Sequence, residues 1–205
     1  MALAHNLTSL FCCIAAWVFF VIGCIGNSTD EENVKRAPWI RSQGTDFDLW
    51  VGTQAFVFDD NSASGQQTTL FRSCENTTGF CTNCKDAGRV TFALLVIAVI
   101  FAMVAIILSA INLGGEHISV QYATVASTGS SFVMAVVGWC VFMRRCYHAV
   151  DDDVSRDMYY GAGSALTLLG YLLMGIAVIV NLVNVMMNKP AAAPQSQSVP
   201  VEAAV

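Results

Sequence analysis

Hydrophobic positions in this chain fall into four long blocks: Leu7–Gly26, Val90–Leu113, Val120–Met143 and Tyr160–Met187. None of the four contains Asp, Glu, Lys, Arg or His. A helix needs about 20 consecutive apolar residues to cross roughly 30 Å of hydrocarbon, so each block predicts one transmembrane helix. A secretory signal peptide is the competing reading of the first block, since Cys24 and Gly26 are small enough for a cleavage site. Met1–Asn6 carries no Lys or Arg, however, and the apolar stretch exceeds the 7–15 residues such a peptide uses. The predicted order is a short N-terminal segment (1–6), a first span (7–26), a long loop (27–89) and a second span (90–113). A turn (114–119), a third span (120–143), a second loop (144–159), a fourth span (160–187) and a tail (188–205) follow. The turn is short enough to make spans two and three an antiparallel hairpin. The tail is rich in Ala, Pro, Ser and Gln and is expected to be disordered.

Between Asp46 and Cys84 the pattern shifts to a period of two. Phe47, Leu49 and Val51 alternate with Asp48, Trp50 and Gly52, and the alternation returns through Ala55, Val57 and Asp59, as in a half-buried strand. Turn residues follow at Asp59-Asp60-Asn61 and Ser64-Gly65, and Thr68–Ser73 is placed to pair back. The predicted fold class is an all-α membrane protein: a four-transmembrane-helix bundle with a small β-sheet module in its first loop.

Small residues mark the expected packing faces. Ala98, Ala102, Ala105 and Ser109 recur at helical spacing in the second span, and Ala123, Ser127, Ser131 and Ala135 every four residues in the third. Stripes of this kind let helices approach closely in lipid. The hydroxyls of the third span are read as packing groups that bond back to helix backbone, rather than as a polar permeation path. Gly161, Gly163, Gly170 and Gly175 are close-packing points in the fourth span, with Asn181 and Asn184 near its end.

Composition strengthens the membrane reading. Hydrophobic residues make up 55% of the 205 and charged residues 12%, against about 25% charged in soluble domains. The net charge of −5 includes no basic stripe, so nucleic acid is not an expected partner. Charge and chemistry disagree on sidedness. Nine of the ten Lys and Arg lie in the two loops (Lys35, Arg36, Arg41, Arg72, Lys85, Arg89, Arg144, Arg145 and Arg156). The positive-inside rule alone would therefore put the loops in the cytoplasm. Clustered loop cysteines and glycosylation sequons at Asn27 and Asn76 make sense only in an oxidising, glycosylating compartment. A first loop of this length also weakens the charge rule. The loops are therefore expected to be extracellular and both termini cytoplasmic.

Candidate chemistry is sparse. No nucleophile–base pattern, phosphate-binding glycine loop or His-Glu metal helix occurs, so no catalytic residue, metal or cofactor is assigned and no enzyme is expected. Spans without ionisable groups also argue against a pump or active transporter. Cys12, Cys13, Cys24 and Cys140 lie in or at the spans; the first two are read as palmitoylation targets or as buried apolar thiols. Cys74, Cys81, Cys84 and Cys146 lie in the loops and allow three pairings. If Cys74 pairs with Cys81 or Cys84, the cysteine left over ties the first loop to Cys146. The Cys-x-x-Cys at Cys81 and Cys84 offers the alternative of a zinc site with Cys74 and Cys146 or His148, but no second such pair or His pair exists and disulfides are preferred. Asp151-Asp152-Asp153 lacks the spaced ligands of a calcium loop and reads as solvated.

The assembled features resemble the amastins, surface glycoproteins of kinetoplastid parasites. The resemblance rests on Tyr160-Gly161-Ala162-Gly163 followed by Ala165-Leu166, on the minimal connector, and on Phe47, Leu49 and Trp50 where the amastin signature has an aliphatic or aromatic residue and Leu-Trp. Asp46 and Asp48 stand where that signature has a cysteine and a Ser or Thr, as in a divergent member. The outline is also similar to the claudin and peripheral-myelin-protein group, which Trp39, Leu49, Trp50, Cys74 and Cys81 echo. The resemblance implies a tetraspan protein of the cell surface or an organelle membrane, without chemistry of its own; loop composition and spans without functional charge add the expectation of a plasma-membrane glycoprotein making protein, cell or lipid contacts through a disulfide-linked outer loop. Its expected partners are membrane lipids and further copies or other membrane proteins. The alternatives are a claudin-like passive pore, with Asp46, Asp48, Asp59 and Asp60 as an acidic rim, and an accessory subunit of an organellar membrane complex.

Overall fold

The computed structural model describes residues 2–26, 28–43, 47–60, 67–71, 79–115, 117–154 and 158–188. Four helices are long and apolar enough to cross a membrane: α1 (Ala2–Ile25), α3 (Gly79–Gly114), α4 (Ile118–Phe142) with its continuation, and α6 (Ala162–Met187). A short helix α2 (Glu31–Arg36) and strands β1 (Ile40–Gln43), β2 (Phe47–Val51), β3 (Ala55–Asp60) and β4 (Gln67–Leu70) lie between α1 and α3. After α4 a π-helical turn (Met143–Tyr147) leads into α5 (His148–Val154) and strand β5 (Met158–Tyr160). The tail expected to be disordered lies outside the described residues from 189 on.

Chain direction alternates along the bundle. α3 packs on α4 and α1 on α6, with α1 against α3 and α4 against α6 closing a four-cornered bundle. The buried positions of α3 and α4 run in steps of three and four. In α3 they include Cys84, Gly88, Thr91, Leu95, Ala98, Ala102, Ala105, Ser109 and Asn112; in α4 they are Gln121, Thr124, Thr128, Ser131, Ala135, Gly138 and Phe142, with Ser127 beside them. This near-3.5 period keeps one seam facing its neighbour over many turns. The expected stripe is corrected at Ala123, which is exposed. A strict four-residue step advances 40° per repeat beyond a full turn, so the stripe leaves the seam and Gln121 and Thr124 occupy it instead. Ser131 Oγ donates across to the Ala98 carbonyl at 2.8 Å, and Thr91 Oγ1 to the Gly138 carbonyl at 2.9 Å. Thr128 bonds back to its own helix at Thr124. The outward faces carry Ile100, Ile107, Leu172 and Ile179, as a lipid-facing surface does.

Helix lengths are unequal. The apolar helical stretches are 23 residues in α1 and 26 in α6, against 34 in α3 and 34 from Ile118 to Asp151. At 1.5 Å per residue the second pair is longer by roughly 12–16 Å. The segment 79–89, expected as loop, is thus the first three turns of α3: Cys81, Cys84 and Ala87 give it an apolar face that packs on the extension of α4. Segment 1–6, expected as a separate terminus, is helical from Ala2 because Asn6 is buried in the bundle.

The sheet sits over the short pair. Its order is β4-β3-β2-β1-β5, all antiparallel. β5 comes from the second loop, so the sheet is not confined to the first. One face carries Ile40, Leu49, Val51 and Phe58 and packs toward the bundle. The other carries Ala55 and Val57 beneath Val34 of α2, with Trp50 and Leu70 at the margin. Both faces of β2 and β3 are therefore covered, more than the half-buried pattern predicts. α2 forms because Asp30 caps it by accepting from the Glu32 amide, with Glu31 and Glu32 in the first turn and Lys35 and Arg36 in the last.

Candidate contact module and its seat on the bundle

Trp39 is the residue on which sheet and bundle meet. It is fully buried, its amide donates to the Val51 carbonyl at 2.8 Å, and its own carbonyl accepts from the Gly161 amide at 2.9 Å. The indole Nε1 donates to the Gly23 carbonyl of α1, and the ring meets Phe142 of α4 edge-on with centroids 4.9 Å apart. Three helices and the sheet thus share one side chain. The start of α6 fits because it lacks side chains: a Cβ at Gly163 would press on the Trp39 ring and the Ala37 carbonyl, and Gly163 donates its amide to Pro38 at 2.8 Å.

On the opposite flank, the β2–β3 turn reaches both α1 and α3. The Thr53 amide donates to the Gly26 carbonyl at 3.2 Å, and Gly88 of α3 lies so close to the Thr53 carbonyl that a Cβ would overlap it. Cys84 of α3 and Cys146 of the π-helical turn form a disulfide, with Cα atoms 4.4 Å apart and a sequence separation of 62. Both are fully buried. This realises the alternative in which a first-loop cysteine ties to Cys146, and it removes both sulfurs from the zinc reading. Cys81, 3% exposed, is disulfide-bonded as well. Cys74 and both sequon residues, Asn27 and Asn76, lie outside the described residues.

The signature-like residues divide between the two faces. Leu49 is buried toward the bundle, Phe47 stacks on Phe58 at 4.8 Å, and Trp50 faces α2, where Lys35 Nζ lies 4.8 Å from its ring. Tyr160 is 60% exposed and Ala162 exposed, while Gly161 and Gly163 are buried on Pro38 and Trp39. Of the acidic group, Asp48 and Asp59 are cross-strand neighbours, and Lys35 lies 3.6 Å from Asp59. Asp46 lies outside the described residues, and Asp60 ends β3. Cys12 and Cys13 are buried and Cys140 exposed. Among the described residues no group of three or more His, Cys, Asp or Glu is arranged to hold a metal.

Two clusters were not anticipated. At the end away from the sheet, Asn6 Nδ2 donates to the Asn112 carbonyl (3.3 Å), Asn184 Nδ2 to Asn6 Oδ1 (2.8 Å) and Asn112 Nδ2 to Thr124 Oγ1 (3.0 Å). One buried amide network thereby joins α1, α3, α4 and α6. The sequence signal was an Asn near the same end of three spans. Beside the sheet, Thr29, Thr53, Gln54, Phe71, Lys85 and Arg89 enclose a cleft of about 140 Å³. Its signal was a pair of cations one helical turn apart, just before the apolar run that starts at Val90.

Arranged this way, a five-stranded sheet covered on both faces of its central strands is seated, beside a helix-to-helix disulfide, on a bundle whose four long apolar runs carry no Asp, Glu, Lys or Arg. Comparison with protein-family models finds no match for the chain, and comparison with curated proteins finds none.

Proposed function

We propose that this is a non-enzymatic tetraspan membrane glycoprotein of the cell surface, amastin-like in outline, whose outer module makes contacts with proteins, cells or lipids. The Cys84–Cys146 disulfide carries the reading. A buried disulfide joining the start of α3 to the π-helical turn after α4 suits an oxidising compartment, which favours sheet-outside orientation over the assignment by loop cations. The packing gives this module a binding scaffold's character: both faces of its central strands are covered, and Trp39 fixes it to three helices. Contacts then fall to the exposed side chains of the sheet and α2, and to further copies or other membrane proteins alongside the lipid-facing helices.

Enzymatic deglycosylation of protein taken from its native membrane tests the reading. A mobility shift lost in Asn76→Gln and Asn27→Gln supports it. An unshifted wild type, together with Cys84 and Cys146 labelled as free thiols in intact cells, would sink it.

A further inference from the structure

We propose that Lys85 and Arg89 hold the phosphate of an anionic membrane lipid in the cleft between α3 and the β2–β3 turn. The two residues are four apart on α3 and so lie on one helix face, where like charges repel unless an anion lies between them. Among the described residues neither takes part in an ion pair, whereas Lys35 and Arg36 of α2 do. They face Thr29, Thr53 and Gln54, which bring hydroxyl and amide groups to the same space, with Phe71 as an apolar wall. Two cations with neutral donors around them form the usual surroundings of a phosphate oxygen. The volume, about 140 Å³, is roughly ten times what one water needs, so a phosphate group fits.

Position selects the source of the phosphate. Arg89 is the last charged residue before the uncharged run from Val90 to Gly115, so the cleft opens where hydrocarbon gives way to headgroups. A lipid lying along α3 would place its acyl chains on the exposed Val96, Ile97, Ile100 and Met103 while its phosphate reached Lys85 and Arg89. With two unneutralised cations the cleft favours a headgroup of net negative charge over a zwitterionic one. The inference rests on the helices being spans, but on neither the glycan nor the contact role, so it stands or falls separately from the function proposed above.

The test uses full-length protein purified in detergent and native mass spectrometry with phosphatidylglycerol and phosphatidylcholine, followed by thermal unfolding with phosphatidylglycerol or inorganic phosphate. Wild type should retain phosphatidylglycerol over phosphatidylcholine. K85Q/R89Q should retain about tenfold less phosphatidylglycerol, and the charge-preserving K85R/R89K should stay within about twofold of wild type. R144Q/R145Q, which removes two exposed cations from the π-helical turn at the same end of the bundle, should match wild type. Equal retention by wild type and K85Q/R89Q, or an equal loss in R144Q/R145Q, overturns the site. Inorganic phosphate that stabilises the protein as much as the lipid at equal concentration overturns the lipid assignment.

Discussion

The indole of Trp39 donates to the carbonyl of Gly23 at 3.1 Å, joining the residue just before β1 to the last turn of α1. The bond is buried, and the ring fills the space between α1, α4 and α6. Trp39→Ala should lower stability by about 3–5 kcal/mol. Trp39→Phe, which keeps much of the ring and loses the donor, should lose about 1–3 kcal/mol. Unfolding of the purified protein, followed by heat or denaturant, checks both.

The Cys84–Cys146 bridge should respond identically to loss of either partner. Cys84→Ser, Cys146→Ser and the double variant are expected to be equally destabilised, because each removes the same bond. Closing 62 residues gives an upper bound of about 4 kcal/mol from chain entropy. The measured loss should fall below that, since the α3–α4 hairpin already holds the two ends together. Equal unfolding midpoints for the three variants under non-reducing conditions confirm this; additive losses would refute it.

At the far end of the bundle, Asn184 and Asn6 should couple. Asn6→Ala leaves Asn184 without its 2.8 Å acceptor in a buried site, and is expected to cost about 1–3 kcal/mol. Asn6→Ala with Asn184→Ala should lose less than the sum of the single losses, with a coupling of about 0.6–1.7 kcal/mol. A double-mutant cycle on unfolding free energies provides the number.

Two glycines should respond in opposite directions to the same methyl group. Gly88→Ala drives a Cβ onto the Thr53 carbonyl and is expected to lower stability by more than 2 kcal/mol. Gly129, inside α4, has nothing within 4 Å of its Cβ position. Gly129→Ala should raise stability by about 0.5–1 kcal/mol through helix propensity.

The spans were readable because lipid imposes length and apolarity on each segment by itself, and the four blocks needed no knowledge of their neighbours. Strands β2 and β3 were readable for a related reason: one face of each meets the core, and Leu49, Val51 and Val57 report it. β1 and β5 escaped because four and three residues carry too little period to register, and β5 is defined only by its pairing with Ile40, Arg41 and Ser42, distant in sequence. α2 escaped as well: its signal, Asp30 and the acid-then-base order of Glu31 to Arg36, is a charge pattern rather than a hydrophobic one. The outer turns of α3 were hidden because Lys85, Asp86 and Arg89 made the segment look like loop, while its partner, the extension of α4, is distant in sequence. Trp39 was legible as a large apolar residue, but its role depends on four other elements.

The sheet's composition from both loops bears on the order in which the protein can be made. Strands β1 to β4 and Cys84 leave the ribosome early; Cys146 follows 62 residues later, about 3–12 s at 5–20 residues per second. β5 comes after that, and Gly161, whose amide bonds to Trp39, closes the arrangement. Until then β1 has an open edge and Cys84 has no Cys146 to join. A finished sheet therefore certifies that α3 and α4 have already been made, and a chain halted between them would expose the Cys84 thiol without Cys146 and β1 without β5.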